Sequence, residues 1–317
     1  MTRLPRQNKV IIILGPTCVG KTGLSILLAK YLKTEIISAD SMLVYRHMDI
    51  GTAKPSDEEL RAVPHHLINI LEPSESFSAG LFREQAAGII DTLHDRNKIP
   101  VIAGGTGLYI RALTKGLFEG PSADQIFRKK LREEERRKGK GYLYDHLAKA
   151  DPEAASKIEP NDTRRVVRAL EILSKDKRQL SVIQGLSTRP SGYDFIKIGL
   201  SRDRQELYQM IEKRVDRMME DGLLSETKEF LKRKPARTAL QALGYKELCL
   251  YLKGEVEMDE AVRLIKKRTK LYAKRQFTWF RKEPDIHWVD ITGIMKAEDI
   301  AAQVLNDVAI LQDLIYS

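Results

Sequence analysis

Gly15-Pro16-Thr17-Cys18-Val19-Gly20-Lys21-Thr22 follows the apolar run Val10 to Leu14 and precedes a helical pattern from Leu24 to Leu32. Strand, then G-x-x-x-x-G-K-[ST], then helix is the pattern of a phosphate-binding loop. Its glycines let the backbone turn tightly, so that successive N–H groups converge on phosphate oxygens at a helix start, where the dipole also favours anions. Lys21 adds a positive charge for the terminal phosphates, and the Thr22 hydroxyl suits Mg²⁺. The loop predicts binding of a di- or triphosphate and leaves open which one, and what becomes of it.

The flanking pattern is that of a parallel sheet. Glu35-Ile36-Ile37-Ser38 reads as a second strand with Asp40-Ser41 at its carboxyl end, where ligands of open parallel sheets bind. Pro100-Val101-Ile102-Ala103 reads as a third, ending in Gly104-Gly105-Thr106-Gly107. Helical patterns over Phe77 to Asn97, with Ser78 as N-cap, and over Leu108 to Leu113 complete a βαβ rhythm. Met42 to Pro73, punctuated by Gly51, Pro55, Pro64 and Pro73, reads as a long functional loop with little regular structure. From Leu117 to about Tyr193 strands give way to helical segments at Gln125 to Lys138, Tyr142 to Lys149 and Asp162 to Lys175. The sheet resumes at Phe195 to Leu200. Helices follow over Arg204 to Glu220, Ser225 to Lys234 and Met258 to Arg281, then a strand at His287 to Asp290 and a last helix over Ala297 to Leu314. The expected fold is α/β, a P-loop NTPase-like doubly wound parallel sheet in two parts, residues 1–116 and 194–317, with an all-helical insertion at 117–193.

At 317 residues and 42% apolar content the chain can bury a large core. No apolar run approaches the roughly 18 to 20 residues that span a bilayer, and Met1 to Lys9 lacks the apolar centre of a signal peptide. A cytoplasmic protein with no membrane partner is expected. Cys18 and Cys249 form no metal-ligand cluster, which suits free thiols in a reducing compartment. The formal charge of +10 suggests an anionic partner larger than one nucleotide. Arg263 to Lys282 holds nine Lys or Arg and no Asp or Glu, with Arg263, Lys267, Lys270 and Lys274 at helical spacing, which predicts phosphates laid against that face. Arg164, Arg165 and Arg168 form a second cluster, with a capped, ion-paired surface helix as the alternative.

Other residues keep two readings. Asp40 suits a metal's outer shell or a general base, or caps a turn. Thr106 is a candidate hydroxyl contact or part of a tight strand-to-helix turn. Phe277, Trp279 and Phe280 suit core packing or base stacking. His65 and His66, adjacent in Pro64-His65-His66, read as structural because neighbouring rings point apart.

GPTCVGKT, followed in order by SADSMLVYRHMDIGTAKP, PHHLIN, GGTGLYIRAL, NDTRRVVRALEI, LGYKEL and AKRQFTWFR, resembles the tRNA dimethylallyltransferase family, also called tRNA isopentenyltransferase, from about Lys9 to Arg281. The resemblance implies that the loop holds the diphosphate of dimethylallyl diphosphate, with Mg²⁺, while the exocyclic amine of the adenosine immediately 3′ of the anticodon attacks the prenyl carbon. It implies Asp40 as general base, Thr106 as a contact to the substrate nucleotide, and Arg214 beside Lys21 in stabilising the leaving diphosphate. It places tRNA contacts on Asp40, Ser41, Met42 and Leu43; on Arg128; on Arg164, Arg165, Val166, Val167 and Arg168; on Gln241, Ala242, Leu243, Gly244, Tyr245 and Lys246; and on Lys274, Arg275, Gln276, Phe277, Thr278, Trp279, Phe280 and Arg281. By the same resemblance the insertion clasps the anticodon stem-loop, tRNAs reading codons that begin with U are preferred, and a bacterial source and a monomer are expected. Leu43 stands where many family members have Gln, and Cys18 where a smaller residue is usual, the latter with little expected effect. Rival readings are a small-molecule P-loop kinase, an RNA-binding ATPase, and an adenylate dimethylallyltransferase acting on free nucleotide.

Overall fold

Lys9–Leu14 (β1) is buried at every position, and such a run has no solvent face to alternate with, so it lies at the centre of a parallel sheet. The computed structural model describes residues 8–117, 124–176 and 191–316. The remaining strands are Ile36–Ser38 (β2), His65–His66 (β3), Val101–Gly104 (β4), Asp194–Ser201 (β5) and Ile286–Asp290 (β6). All pair in parallel in the order β3-β2-β4-β1-β5-β6.

Helices cover both faces of the sheet, and Gly107–Lys115 (α4) follows β4. Val10, Ile12 and Leu14 pack with Phe82, Ala86 and Ile90 of Ala79–Asp95 (α3), while Ile11 and Ile13 pack with Leu24, Leu28 and Ala29 of Lys21–Tyr31 (α1). Alternate residues of β1 thus feed two separate cores, the two-sided burial that a doubly wound sheet requires. The Ser78 side chain accepts the Leu81 N–H and caps α3.

The chain divides into two compact units, residues 1–114 with 192–317, and residues 115–191. The second unit holds the helices Gln125–Lys138 (α5), Tyr142–Ala150 (α6), Pro152–Ser156 (α7) and Thr163–Asp176 (α8), with no strand among its described residues; the stretches 118–123 and 177–190, also expected to lack strands, lie outside the described residues. Its core is built from Leu131, Leu143, Leu147, Ile158, Val166, Val167 and Leu170.

The stretch Met42 to Pro73 is more ordered than its prolines suggest. It contains a short helix, Asp57–Ala62 (α2), opened by a capping box in which Ser56 and Glu59 satisfy each other's backbone N–H groups, and the strand β3. Pro152 separates α6 from α7 and opens α7 at a position where proline is favoured, behind the Asp151 cap. Tyr245–Leu252 (α11) forms a further helix. The expected last helix is two, Ala297–Asp307 and Ala309–Tyr316, interrupted at Val308, whose backbone leaves the helical region. Among the described residues no helix is long and apolar enough to cross a membrane.

Candidate active site

The carboxyl ends of β1, β4 and β2, which are neighbours in the sheet, deliver the phosphate loop, Gly104 to Gly107 and Asp40 to one place. The loop alternates handedness, with positive φ at Gly15 (147°), Cys18 (68°) and Gly20 (110°), the backbone alternation that gathers amides into an anion-binding concavity. Cys18 therefore bears a side chain in the left-handed region. Gly20 ends the loop as the N-cap of α1.

One cavity of about 310 Å³ is lined by Thr17 to Gly23, by Ser38 and Asp40, and by Arg214, with Leu43, Ala53, Pro55, Ile68 and Met210 as an apolar wall. Lys21 donates to the carbonyls of Gly15 (3.0 Å) and Pro16 (2.7 Å). Burial pushes its ammonium down to about 8; the Asp40 charge opposes the fall and Arg214 adds to it. Arg214, on Arg204–Glu220 (α9), donates to Thr17 Oγ1 at 3.4 Å, so its guanidinium lies beside the loop as expected. Burial pushes the Cys18 thiol up, against the pull of Arg214 and Lys21.

Asp40 performs the turn role while facing the cavity: its Oδ1 accepts the Met42 N–H at 2.8 Å. Thr106 Oγ1 accepts the Ser41 N–H at 3.1 Å, tying the end of β4 to the segment that carries Asp40. Burial and the Asp40 charge hold the Tyr272 phenol above its ordinary range, while hydrogen bonds with Thr106 and Gln276 pull the other way. The Mg²⁺ expectation fits the oxygen donors present. Asp40 and Thr22 line the cavity, and so does Ser38, whose buried Oγ has no hydrogen-bond partner among the described residues.

The segment after Leu43 is fixed from outside. The Glu226 carboxylate, on Leu223–Lys232 (α10), accepts three consecutive backbone N–H groups, those of Asp49 (2.8 Å), Ile50 (2.9 Å) and Gly51 (3.0 Å), as well as the Tyr245 hydroxyl. A Cβ on Gly51 would lie 2.4 Å from the Tyr245 ring. Glu226 lies in none of the quoted motifs, although its backbone partners lie within SADSMLVYRHMDIGTAKP.

Several residues expected at the tRNA surface are placed elsewhere. Val166 and Val167 are buried in the helical core, and Ala242, Gly244, Tyr245 and Phe280 are buried in the sheet unit. Arg128 grips the buried Glu171 through Nε (2.9 Å) and Nη2 (2.6 Å), and Arg168 pairs with the same carboxylate. Arg165 lies 3.5 Å from Asp162. For these arginines the capped, ion-paired reading is the one the structure realises, and Arg164 and Arg165 are the exposed pair. Burial raises the Glu171 carboxyl, and the Arg128, Asp124 N–H and Arg168 contacts together bring it below its ordinary value. Removing one side of so buried a pair typically costs about 3–5 kcal/mol, so Glu171→Ala is expected to destabilise residues 124–176 selectively, read as faster amide exchange there with the sheet unit unchanged.

On Met258–Phe280 (α12) the basic face is also partly committed: Lys270 pairs with Glu212, Lys266 with Asp216 and Arg268 with Glu247. Lys267, Lys274, Arg275 and Thr278 stay exposed, as do Gln241, Lys246 and Arg281 elsewhere, with Leu243 half-buried. Phe277 packs edge-on to Trp288 at 5.4 Å beneath Arg281, and Trp279 lies under Arg111, so the aromatics pack within the fold. His66 Nε2 donates to the Glu35 carboxylate at 2.7 Å, the structural role expected of it.

Residues 43–283 match the family model described as IPP transferase. The chain is 52% identical over 307 residues to the tRNA dimethylallyltransferase of Thermodesulfovibrio yellowstonii, covering 95% of this chain and 97% of that one, and 47% identical over 308 residues to that of Carboxydothermus hydrogenoformans, covering 96% and 98%. Among solved structures it is similar to the tRNA isopentenylpyrophosphate transferase of Bacillus halodurans, with TM-score 0.70 and 41% identity over 98% of this chain and 100% of that one. A eukaryotic dimethylallyltransferase acting on tRNA gives TM-score 0.83 at 32% identity, over 98% and 80%. With a model match over most of its length and relatives of this identity aligned end to end, the chain belongs to the IPP transferase family.

Proposed function

We propose that this chain transfers the dimethylallyl group of dimethylallyl diphosphate to the exocyclic amine of the adenosine immediately 3′ of the anticodon, in tRNAs reading codons that begin with U. The observation that carries the reading is the single cavity in which a cationic phosphate cradle, a carboxylate and an apolar wall meet. The loop amides, Lys21 and Arg214 suit a diphosphate, and Leu43, Ile68 and Met210 suit a short hydrocarbon.

As the allylic C–O bond breaks, its electron pair leaves with the diphosphate, whose growing charge Lys21 and Arg214 offset. The amine nitrogen forms the new C–N bond and gives up its proton, for which Asp40 is the acceptor. Thr106 holds the turn that carries Asp40. When bound beside Thr22, Ser38 and Asp40, Mg²⁺ would supply further positive charge to the diphosphate. The target base lies in an anticodon loop, where leaving the stack costs less than in a duplex. The exposed Lys274, Arg275 and Arg281 then suit the phosphates of the tRNA, as do Arg164 and Arg165 of the helical unit. Both cysteines are free thiols, which suits the cytoplasm.

Labelled dimethylallyl diphosphate incubated with the protein and either tRNA, AMP or ATP tests the reading. Label is expected in tRNA alone. Label in AMP or ATP would mean a free-nucleotide prenyltransferase, and phosphoryl transfer from ATP without prenylation would mean a kinase.

A further inference from the structure

Gln276 stands in the stretch expected to contact tRNA, yet it is 6% exposed. Both ends of its amide are committed inside the fold. Oε1 accepts the Thr17 N–H of the phosphate loop at 2.9 Å, and Nε2 donates to the Gly105 carbonyl at 2.9 Å. A Cβ on Gly105 would stand 2.1 Å from that nitrogen, so the amide occupies the space that makes position 105 a glycine. The two loops it joins serve opposite halves of the reaction. Thr17 belongs to the loop proposed for the leaving diphosphate and also receives Arg214. Gly105 precedes Thr106, which holds the Ser41 N–H next to Asp40. Backbone pairing sets β1 against β4 only as far as Leu14 and Gly104, and beyond those residues Gln276 joins the loops.

We infer that Gln276 is a positioning residue that sets the register between the diphosphate cradle and the Asp40–Thr106 side of the site. The inference rests on the prenyl-transfer reading above. A buried amide with donor and acceptor both satisfied fixes its partners in a way an apolar side chain of equal length cannot, because it defines direction as well as distance. Displacements of about 1 Å between reacting groups can cost about 10²-fold in rate. Gln276 also shares a helix turn with the exposed Lys274, Arg275 and Thr278, so the strut is anchored in the segment proposed to meet tRNA.

Two variants approach the strut from opposite sides. Gln276→Met keeps the length and removes both hydrogen bonds. Gly105→Ala leaves helix α12 untouched and displaces the amide, whose flexible end can move without disturbing the backbone. Wild-type transfer of label from dimethylallyl diphosphate to tRNA is measured first, since its absence would sink the functional reading itself. With the wild type active, both variants are expected to lower kcat by about 10- to 100-fold, with KM for tRNA within about threefold and tRNA affinity by gel shift unchanged. Both variants at wild-type kcat would overturn the inference. So would a loss confined to tRNA affinity, which would make Gln276 a tRNA contact. If Gln276→Met fails to fold, Gly105→Ala alone decides between these outcomes.

Discussion

Asp40→Asn is expected to slow single-turnover prenyl transfer, with both substrates saturating, by about 10²- to 10⁴-fold. The substitution keeps the Oδ1 that accepts the Met42 N–H, so the turn survives it. What it removes is an oxygen basic enough to take the amine proton. Donor and tRNA binding should stay close to wild type, which places the loss on the chemical step. A variant within about threefold of the wild-type rate would leave the turn as the whole role of Asp40.

Lys21→Met is expected to lower transfer by about 10²- to 10³-fold, because it removes a positive charge from the proposed diphosphate cradle while keeping the apolar stem. Its effect should fall on the donor and leave tRNA affinity intact, since Lys21 lines the cavity and belongs to no exposed basic face. A gel shift in which tRNA affinity falls in step with activity would overturn this. The pH dependence follows from burial, which pushes the ammonium down to about 8 against the opposing charge of Asp40, with Arg214 and Cys18 also facing it. Below that pH the free protein carries the charge, and above it the charge is lost. Donor affinity is therefore expected to weaken as pH rises through about 8, and Lys21→Met to be flat over the same range.

The sheet and the catalytic loops were legible because their signals are local. A buried central strand, a glycine-bounded loop and a Ser78 cap each reveal themselves within a few residues, and β1, β2 and β4 lie where the apolar runs place them. The charge clusters were less legible because charge balance is settled over distance. Lys270 and Glu212 are 58 positions apart, so a count within Arg263 to Lys282 does not show that pair. The break at Val308 escaped notice because the apolar periodicity continues across it. Gln276 was hidden by its neighbours: in a segment rich in Lys and Arg, one polar side chain reads as another surface contact. Gly105 carried the better signal, since a strand-to-helix turn with three glycines has more conformational freedom than it needs unless a neighbour approaches closely.

The lock that Glu226 places on residues 49–51 has an evolutionary consequence. Its carboxylate reads only main-chain N–H groups there, and every residue except proline supplies one. Glu226 therefore constrains Asp49 and Ile50 only through their main chains, their side chains answering instead to Lys54 and to the core, whereas Gly51, pressed against Tyr245, has no room for a side chain at all. Glu226 itself is far less replaceable, because three amides and a phenol would lose their acceptor at once. Selection on the geometry of this cavity wall should accordingly be felt at position 226, some 175 residues away in the chain, more strongly than at the residues it holds.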